Sequence, residues 1–309
     1  MKQFIPLMIL GLALGVVSCK NKVSSNQSAQ EADDSGVSEL MELASPNIPV
    51  IYNNVEDRGT FLVKNYWTNF DMSNTYNQEL LEQKWVDYID LIPRFASDNY
   101  TEVLKSFYLM LQSNATYYQF FTDLADKYLF DTGSAMRNDM LYVPILEVML
   151  SKEGLSDIEV EQLSFKLKMS SKNNPGSVAQ DFSYTKLDGT QSRLSKSKKE
   201  LTLIFFFDPG CNICLHNAET LANSAEINSL IKDNELDILT ICVEEGIEEW
   251  KKHVVDWPKD WIKGYDTNQA IINETLYDLR AIPSFYLIDK DGKVFLKDRP
   301  IEEIINLLS

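Results

Sequence analysis

Leu201-Thr202-Leu203-Ile204-Phe205-Phe206-Phe207 runs directly into Asp208-Pro209-Gly210-Cys211-Asn212-Ile213-Cys214. The first seven residues form an apolar run of strand length, the pattern of a strand buried on both faces and not the alternation of a half-exposed one. Asp-Pro-Gly then breaks the run, and the spacing from about Cys214 to Ile231 reads as helix. A Cys-x-x-Cys between a buried strand and a helix is a far narrower signal than the motif alone. Two thiols at that spacing can close a disulfide across one helical turn. At the helix start, exposed N–H groups and the dipole favour the thiolate of Cys211, the form that attacks another disulfide, and Cys214 can then resolve the intermediate.

Downstream, Leu236 to Val243 is a second strand-like run. Ser284–Ile288 and Lys293–Lys297 flank Asp289-Lys290-Asp291-Gly292, a hairpin with Asp-Gly at its turn, and Pro300 opens a last helix over Ile301–Leu308. Upstream, the polar run Ser170-Ser171-Lys172-Asn173-Asn174-Pro175-Gly176-Ser177 marks a boundary. Residues 171–309 are thus predicted to be α/β with a mixed central sheet. Residues 38–170 carry apolar side chains at spacings of three and four and are predicted to be all-α. Thr75-x-x-Gln78, Asn99-x-x-Glu102 and Ser156-x-x-Glu159 read as helix starts. Two aromatic stripes, Phe61-Tyr66-Trp67-Phe70 and Tyr117-Tyr118-Phe120-Phe121-Tyr128, read as core before they read as a binding groove.

The segment from about 175 to 309 resembles the thioredoxin superfamily, and within it the TlpA-like membrane-tethered thiol-disulfide oxidoreductases. The resemblance rests on Gln180-Asp181-Phe182, on Leu201–Phe207 leading into Asp208-Pro209-Gly210-Cys211-Asn212-Ile213-Cys214, and on Ala281-Ile282-Pro283-Ser284 leading into Phe285–Asp289 and Asp291-Gly292. It implies a thioredoxin fold and a catalytic pair, Cys211 and Cys214. It also implies a cis Pro283 beside that pair, with the backbone at Ile282 binding an extended substrate. Protein thiols or disulfides would be the substrates, a membrane protein the electron donor, and no bound cofactor would be needed. The pattern is not followed everywhere. Gly210 stands where thioredoxin has Trp, Phe205 where it has a buried Asp, and Asn217 where some tethered reductases have Glu. A proton acceptor for Cys214 is therefore unassigned, with Glu219, Glu244 and His216 as candidates. Asp208, so close to the nucleophile, would oppose thiolate formation.

The N-terminus reads as an address. Lys2 precedes an apolar run from Phe4 to Val17, about 14 residues where roughly 20 are needed to span a bilayer, so residues 1–18 read as a signal peptide. Val16-Val17-Ser18-Cys19 resembles the lipobox of bacterial lipoproteins, which implies that Cys19 is lipidated. Residues 19–37 are too polar to bury a core and read as a tether. Together these place the protein in the envelope of a Gram-negative bacterium, anchored by lipid on the outer membrane and facing the periplasm.

Several functions are excluded. A net charge of −17, from 29 basic against 46 acidic side chains, repels a phosphate backbone, so no nucleic-acid partner is expected. Two histidines, His216 and His253, cannot build a tri-imidazole site or an H-E-x-x-H motif, and there is no Gly-rich phosphate loop. Leu215 separates Cys214 from His216, which rules out covalent haem attachment. The spacing around Cys211 is not that of a peroxiredoxin. Cys211, Cys214 and His216 lack a fourth ligand at motif spacing, so no metal is expected. Cys242, in an apolar strand, reads as an inert buried thiol. The reading is a thiol-disulfide oxidoreductase; the alternative is a binding or scaffolding lipoprotein whose Cys211 and Cys214 form a static staple.

Overall fold

The computed structural model describes residues 42–309 apart from Lys198. The predicted signal peptide, Cys19 and the predicted tether lie outside the described residues. Residues 42–309 belong to one compact unit, built as a helical half followed by an α/β half. Among the described residues no helix is long and apolar enough to cross a membrane.

The helical half comprises α1 (Val55–Asn65), α2 (Gln78–Phe95), α3 (Tyr100–Leu111), α4 (Ala115–Ala125), a π-helical turn (Asp126–Phe130), α5 (Asp139–Leu150) and α6 (Asp157–Ser170). Ser156 forms the reciprocal capping box with Glu159 that its spacing predicts. The start of α2 differs from expectation. Asn77, not Thr75, is the cap, because its side-chain oxygen reaches the N–H groups of both Glu79 and Leu80. Asn99 starts α3 without a side-chain bond, since its backbone (φ −133°, ψ 18°) is not in the extended conformation that aims a cap side chain at the first turn. The aromatic stripes are core: Trp67 stacks on Phe107 at 4.5 Å between ring centroids, and Phe121 packs edge-on against both. The Trp85 Nε1–H donates to the Tyr108 hydroxyl (3.1 Å), which donates to the Phe121 carbonyl (3.0 Å), so the polar atoms of these two buried rings are satisfied.

The α/β half contains β1 (Ser183–Lys186), β2 (Gln191–Arg193), β3 (Leu201–Phe207), α7 (Asn212–Asn223), α8 (Ala225–Lys232), β4 (Leu236–Cys242), α9 (Ile247–Val254), β5 (Ile262–Tyr265), α10 (Ala270–Asn273), β6 (Ser284–Asp289), β7 (Val294–Lys297) and α11 (Ile301–Leu307). The strands form one mixed sheet in the order β2-β1-β5-β4-β3-β6-β7, with β3, β4 and β5 mutually parallel. Its two faces bury separate cores. Leu203, Phe205 and Phe207 of β3 enter one, Ile204 and Phe206 the other, which is why the run shows no alternation. The single helix expected from Cys214 to Ile231 is two, broken at Ser224, whose hydroxyl accepts from the Ile227 N–H and starts α8. The strand β5, with Lys263 and Gly264 in its middle, has no apolar run to announce it. Gly264 is required there: a Cβ would lie 2.5 Å from Ile241 Cδ1 and 2.8 Å from a Tyr184 ring carbon.

Pairing of β3 with its neighbours positions the site. The antiparallel register sets Phe206 opposite Ser284, so the chain leaving β3 at Phe207 emerges beside the chain entering β6. The Cys-x-x-Cys turn and Ile282-Pro283 are thereby brought to the same end of the sheet.

Candidate active site

Asp208 begins the turn after β3, and its carboxylate accepts from the Gly210 N–H at 2.7 Å while its carbonyl accepts from the Cys211 N–H at 3.1 Å. This small Asx-type turn delivers Cys211 to the N-cap of α7 in extended backbone geometry (φ −88°, ψ 109°). There the Cys211 Sγ accepts from the Cys214 N–H at 3.2 Å, the bond a serine or aspartate cap would make. Its thiol also lies 3.8 Å from the Ile282 carbonyl oxygen, the group to which it donates. The Ile282–Pro283 bond is cis, as the resemblance implies.

The two thiols differ in surroundings. Cys211 is half-buried at the surface, whereas Cys214 is fully buried in the core that also holds Phe205 and Phe207. Burial pushes the Cys214 thiol far above the usual range for cysteine, its hydrogen bond with Cys211 adds to this, and the charge of Asp208 works in the same direction. Phe205, at the position where thioredoxin has a buried Asp, belongs to the same apolar core as Cys214 and offers it no proton acceptor.

His216, Glu219 and Glu244 have exposed side chains, whereas Cys214 is buried. Asp208 is the carboxylate that acts on both Cys214 and Cys242. Cys242 ends β4, its thiol donating to the Glu244 carbonyl at 3.7 Å, and burial pushes it up to about 12, which keeps it protonated and unreactive near neutrality. Among the described residues no group of three or more His, Cys, Asp or Glu side chains is placed to hold a metal ion.

Pro283 and Asn217 line a cleft of about 170 Å³ together with Thr132, Ala135 and Arg137 of the helical half. Arg280 and Asp298 flank this region as buried charges. Nothing in their local spacing marks them out: Arg280 lies in the segment before β6 and Asp298 directly after β7, and only the packing of the two halves makes them partners of the site.

Residues 18–173 match the family described as a domain of unknown function, DUF5106. No curated protein matches the chain. Among solved structures, a thioredoxin-like protein from Bacteroides caccae is 36% identical, with a TM-score of 0.81 over 87% of this chain and 99% of that one. The C-terminal domain of an uncharacterized protein from Bacteroides fragilis is 40% identical over 45% of this chain and 99% of its own, with a TM-score of 0.44. The thioredoxin domain of a thiol-disulfide oxidoreductase from Bacteroides vulgatus is 22% identical over 44% of this chain and 99% of its own, with a TM-score of 0.39.

Proposed function

This chain belongs to the thioredoxin-like proteins and, over residues 18–173, to the DUF5106 family, and from that premise we propose that it is a TlpA-like thiol-disulfide oxidoreductase acting on protein disulfides in the cell envelope. One observation carries the reading. A half-exposed Cys211 caps α7 with its Sγ while its partner, Cys214, is sealed in the core, an asymmetry a catalytic pair needs and a staple does not. In the proposed step the Cys211 thiolate attacks one sulfur of a substrate disulfide. That S–S bond breaks, a Cys211–substrate disulfide forms, and the displaced thiolate takes a proton. Cys214 then loses its proton and attacks the Cys211 Sγ, releasing the second substrate thiol. The substrate gains two electrons and two protons, and Cys211 and Cys214 are left as a disulfide. A dithiol of a membrane protein would return the pair to its reduced form. The Ile282 carbonyl lies beside the attacking sulfur, and Ile282 with the cis Pro283 would bind the extended substrate strand.

The test is equilibration of the pair with glutathione, followed by assay of insulin reduction. A catalytic pair exchanges and turns over. A bond that resists reduction, with a potential below about −300 mV, would establish the staple instead.

The address belongs to the same proposal. The Val16-Val17-Ser18-Cys19 sequence and the polar stretch after it support lipidation of Cys19 and tethering to a membrane, facing the periplasm. Cys19→Ala is expected to release the mature protein from membranes. An unmodified N-terminal residue in the intact mass of membrane-purified protein would refute the anchor.

A further inference from the structure

Residues 278–283, just before β6, lie in neither helix nor strand, so no ladder of backbone bonds holds them. Yet this is the segment whose Ile282 carbonyl faces Cys211. Its placement has to come from side chains, and the decisive ones reach into the helical half. Arg280 places Nη2 at 2.8 Å from Asp139 Oδ1 and 2.6 Å from Asp278 Oδ2, and Nη1 donates to the Phe130 carbonyl at 3.1 Å. Its guanidinium also lies 4.1 Å from the centroid of the Phe130 ring. A planar cation gripped on its edges and face, and only 12% exposed, has little freedom to move. On the other side of the cis bond, the Ser284 hydroxyl lies within hydrogen-bonding reach of the Ala281 carbonyl (2.8 Å) and of Asp298 Oδ1 (3.2 Å). Asp298 is ion-paired with Arg137, which also donates to the Asp298 carbonyl at 3.1 Å. The segment is thus bracketed, two residues before Ile282 and one after Pro283, by groups tied to residues 130–139.

Resting on the oxidoreductase reading above, we propose that residues 130–139 of the helical half are a positioning element for thiol exchange. Asp139 and Arg137, through Arg280 and Asp298, hold Ile282-Pro283 against Cys211, and Thr132 and Ala135 wall the cleft in which the substrate polypeptide lies. The helical half therefore belongs to the substrate site of the α/β half.

The test uses the full chain and two variants. Arg280→Gln removes the grip on the segment. Ala135→Trp, at an exposed position with no ion pair, fills the cleft and leaves the network intact. In both, KM for insulin is expected to rise by roughly tenfold or more, while iodoacetamide alkylates Cys211 within about twofold of the wild-type rate. An unchanged KM in the folded variants overturns the proposal. So does a parallel fall in alkylation and insulin reduction in Arg280→Gln, which would show that the arginine merely stabilises the fold. Should Arg280→Gln fail to fold, Ala135→Trp decides alone, and a wild-type KM there is fatal. Wild-type protein that alkylates at Cys211 but leaves insulin intact would overturn the oxidoreductase reading itself, and this proposal with it.

Discussion

Cys214→Ser is expected to convert the protein from a catalyst into a trap, accumulating one disulfide-linked substrate per chain through Cys211. Cys211→Ser is expected to lose turnover by a factor on the order of 10³ or more without trapping anything, the scale on which loss of a covalent nucleophile is felt. The difference follows from placement. Cys211 sits half-exposed at the N-cap of α7, where a substrate sulfur can approach it, whereas Cys214 is sealed within the first turn. Burial, first, and the hydrogen bond with Cys211, second, keep the Cys214 thiol protonated far above the usual range. It therefore attacks only after the mixed disulfide has formed beside it. Its thiolate fraction is small at neutrality, so the resolving step should accelerate by about tenfold per pH unit through the mildly alkaline range. Non-reducing electrophoresis of the two variants with a protein disulfide, and stopped-flow resolution between pH 7 and 9, check this. Faster alkylation of Cys214 than of Cys211 in the reduced protein would reverse the assignment.

The second large effect is on stability. Asp139, in the first turn of α5, is a buried carboxylate paired with Arg280 and with Lys297 at 2.8 Å each. Lys297 is itself almost entirely buried, its ammonium also donating to the Lys172 carbonyl at 2.8 Å. Asp139→Ala would leave Lys297 without an anion and Arg280 with Asp278 alone. Removing one partner of a buried pair costs about 3 to 5 kcal/mol, and since Arg280 keeps Asp278 the lower figure applies. For a chain of 309 residues that is a fall in Tm of about 5 °C. Isosteric hydrophobic replacement of all partners would be a different experiment, because it removes the desolvation cost as well.

The same carboxylate sets an acid dependence. Burial of Asp139 opposes its ionisation, but Lys297 and Arg280 outweigh burial and hold the carboxyl below its usual range. A group whose folded value is depressed contributes its stability above the unfolded value, about 3.9, and loses it as pH falls through the folded value. The gap between wild type and Asp139→Ala should accordingly be full at pH 7 and narrow below about pH 4. Asp298 behaves oppositely: burial raises its carboxyl above the usual range despite Arg137, so its ionised form costs stability as pH rises. Urea midpoints at pH 7 and pH 3 check both signs, and an Asp139→Ala midpoint equal to wild type at pH 7 would show that the junction contributes nothing.

Local chemistry explains how much was legible in advance. Leu201–Phe207 shows its two-sided burial in its own composition, and Cys211 to Cys214 shows in its spacing that both thiols fall on one turn of α7. The Ser156 capping box and the Asp-Gly hairpin are likewise complete within a few residues. The helix break at Ser224 and the strand β5 were harder. Serine caps and helix interiors share residue types, and β5 owes its place to pairing with β4 and β1, not to any apolar run.

The strand, the turn, the dithiol and the helix that carries it are all legible in local sequence, because each depends on neighbours within one turn or one pleat. What surrounds the dithiol comes from the packing of segments distant in the chain. Arg280 and Asp139 stand 141 positions apart and meet because the helical and α/β halves pack there. Charge pairing across such a distance leaves no periodic trace, since an aspartate or arginine reads the same in sequence whether it ends in water or in a buried junction. The same holds for Cys214: its burial in the core that holds Phe205 is a property of the packed sheet and helix, and that burial, not the motif, makes the two thiols unequal.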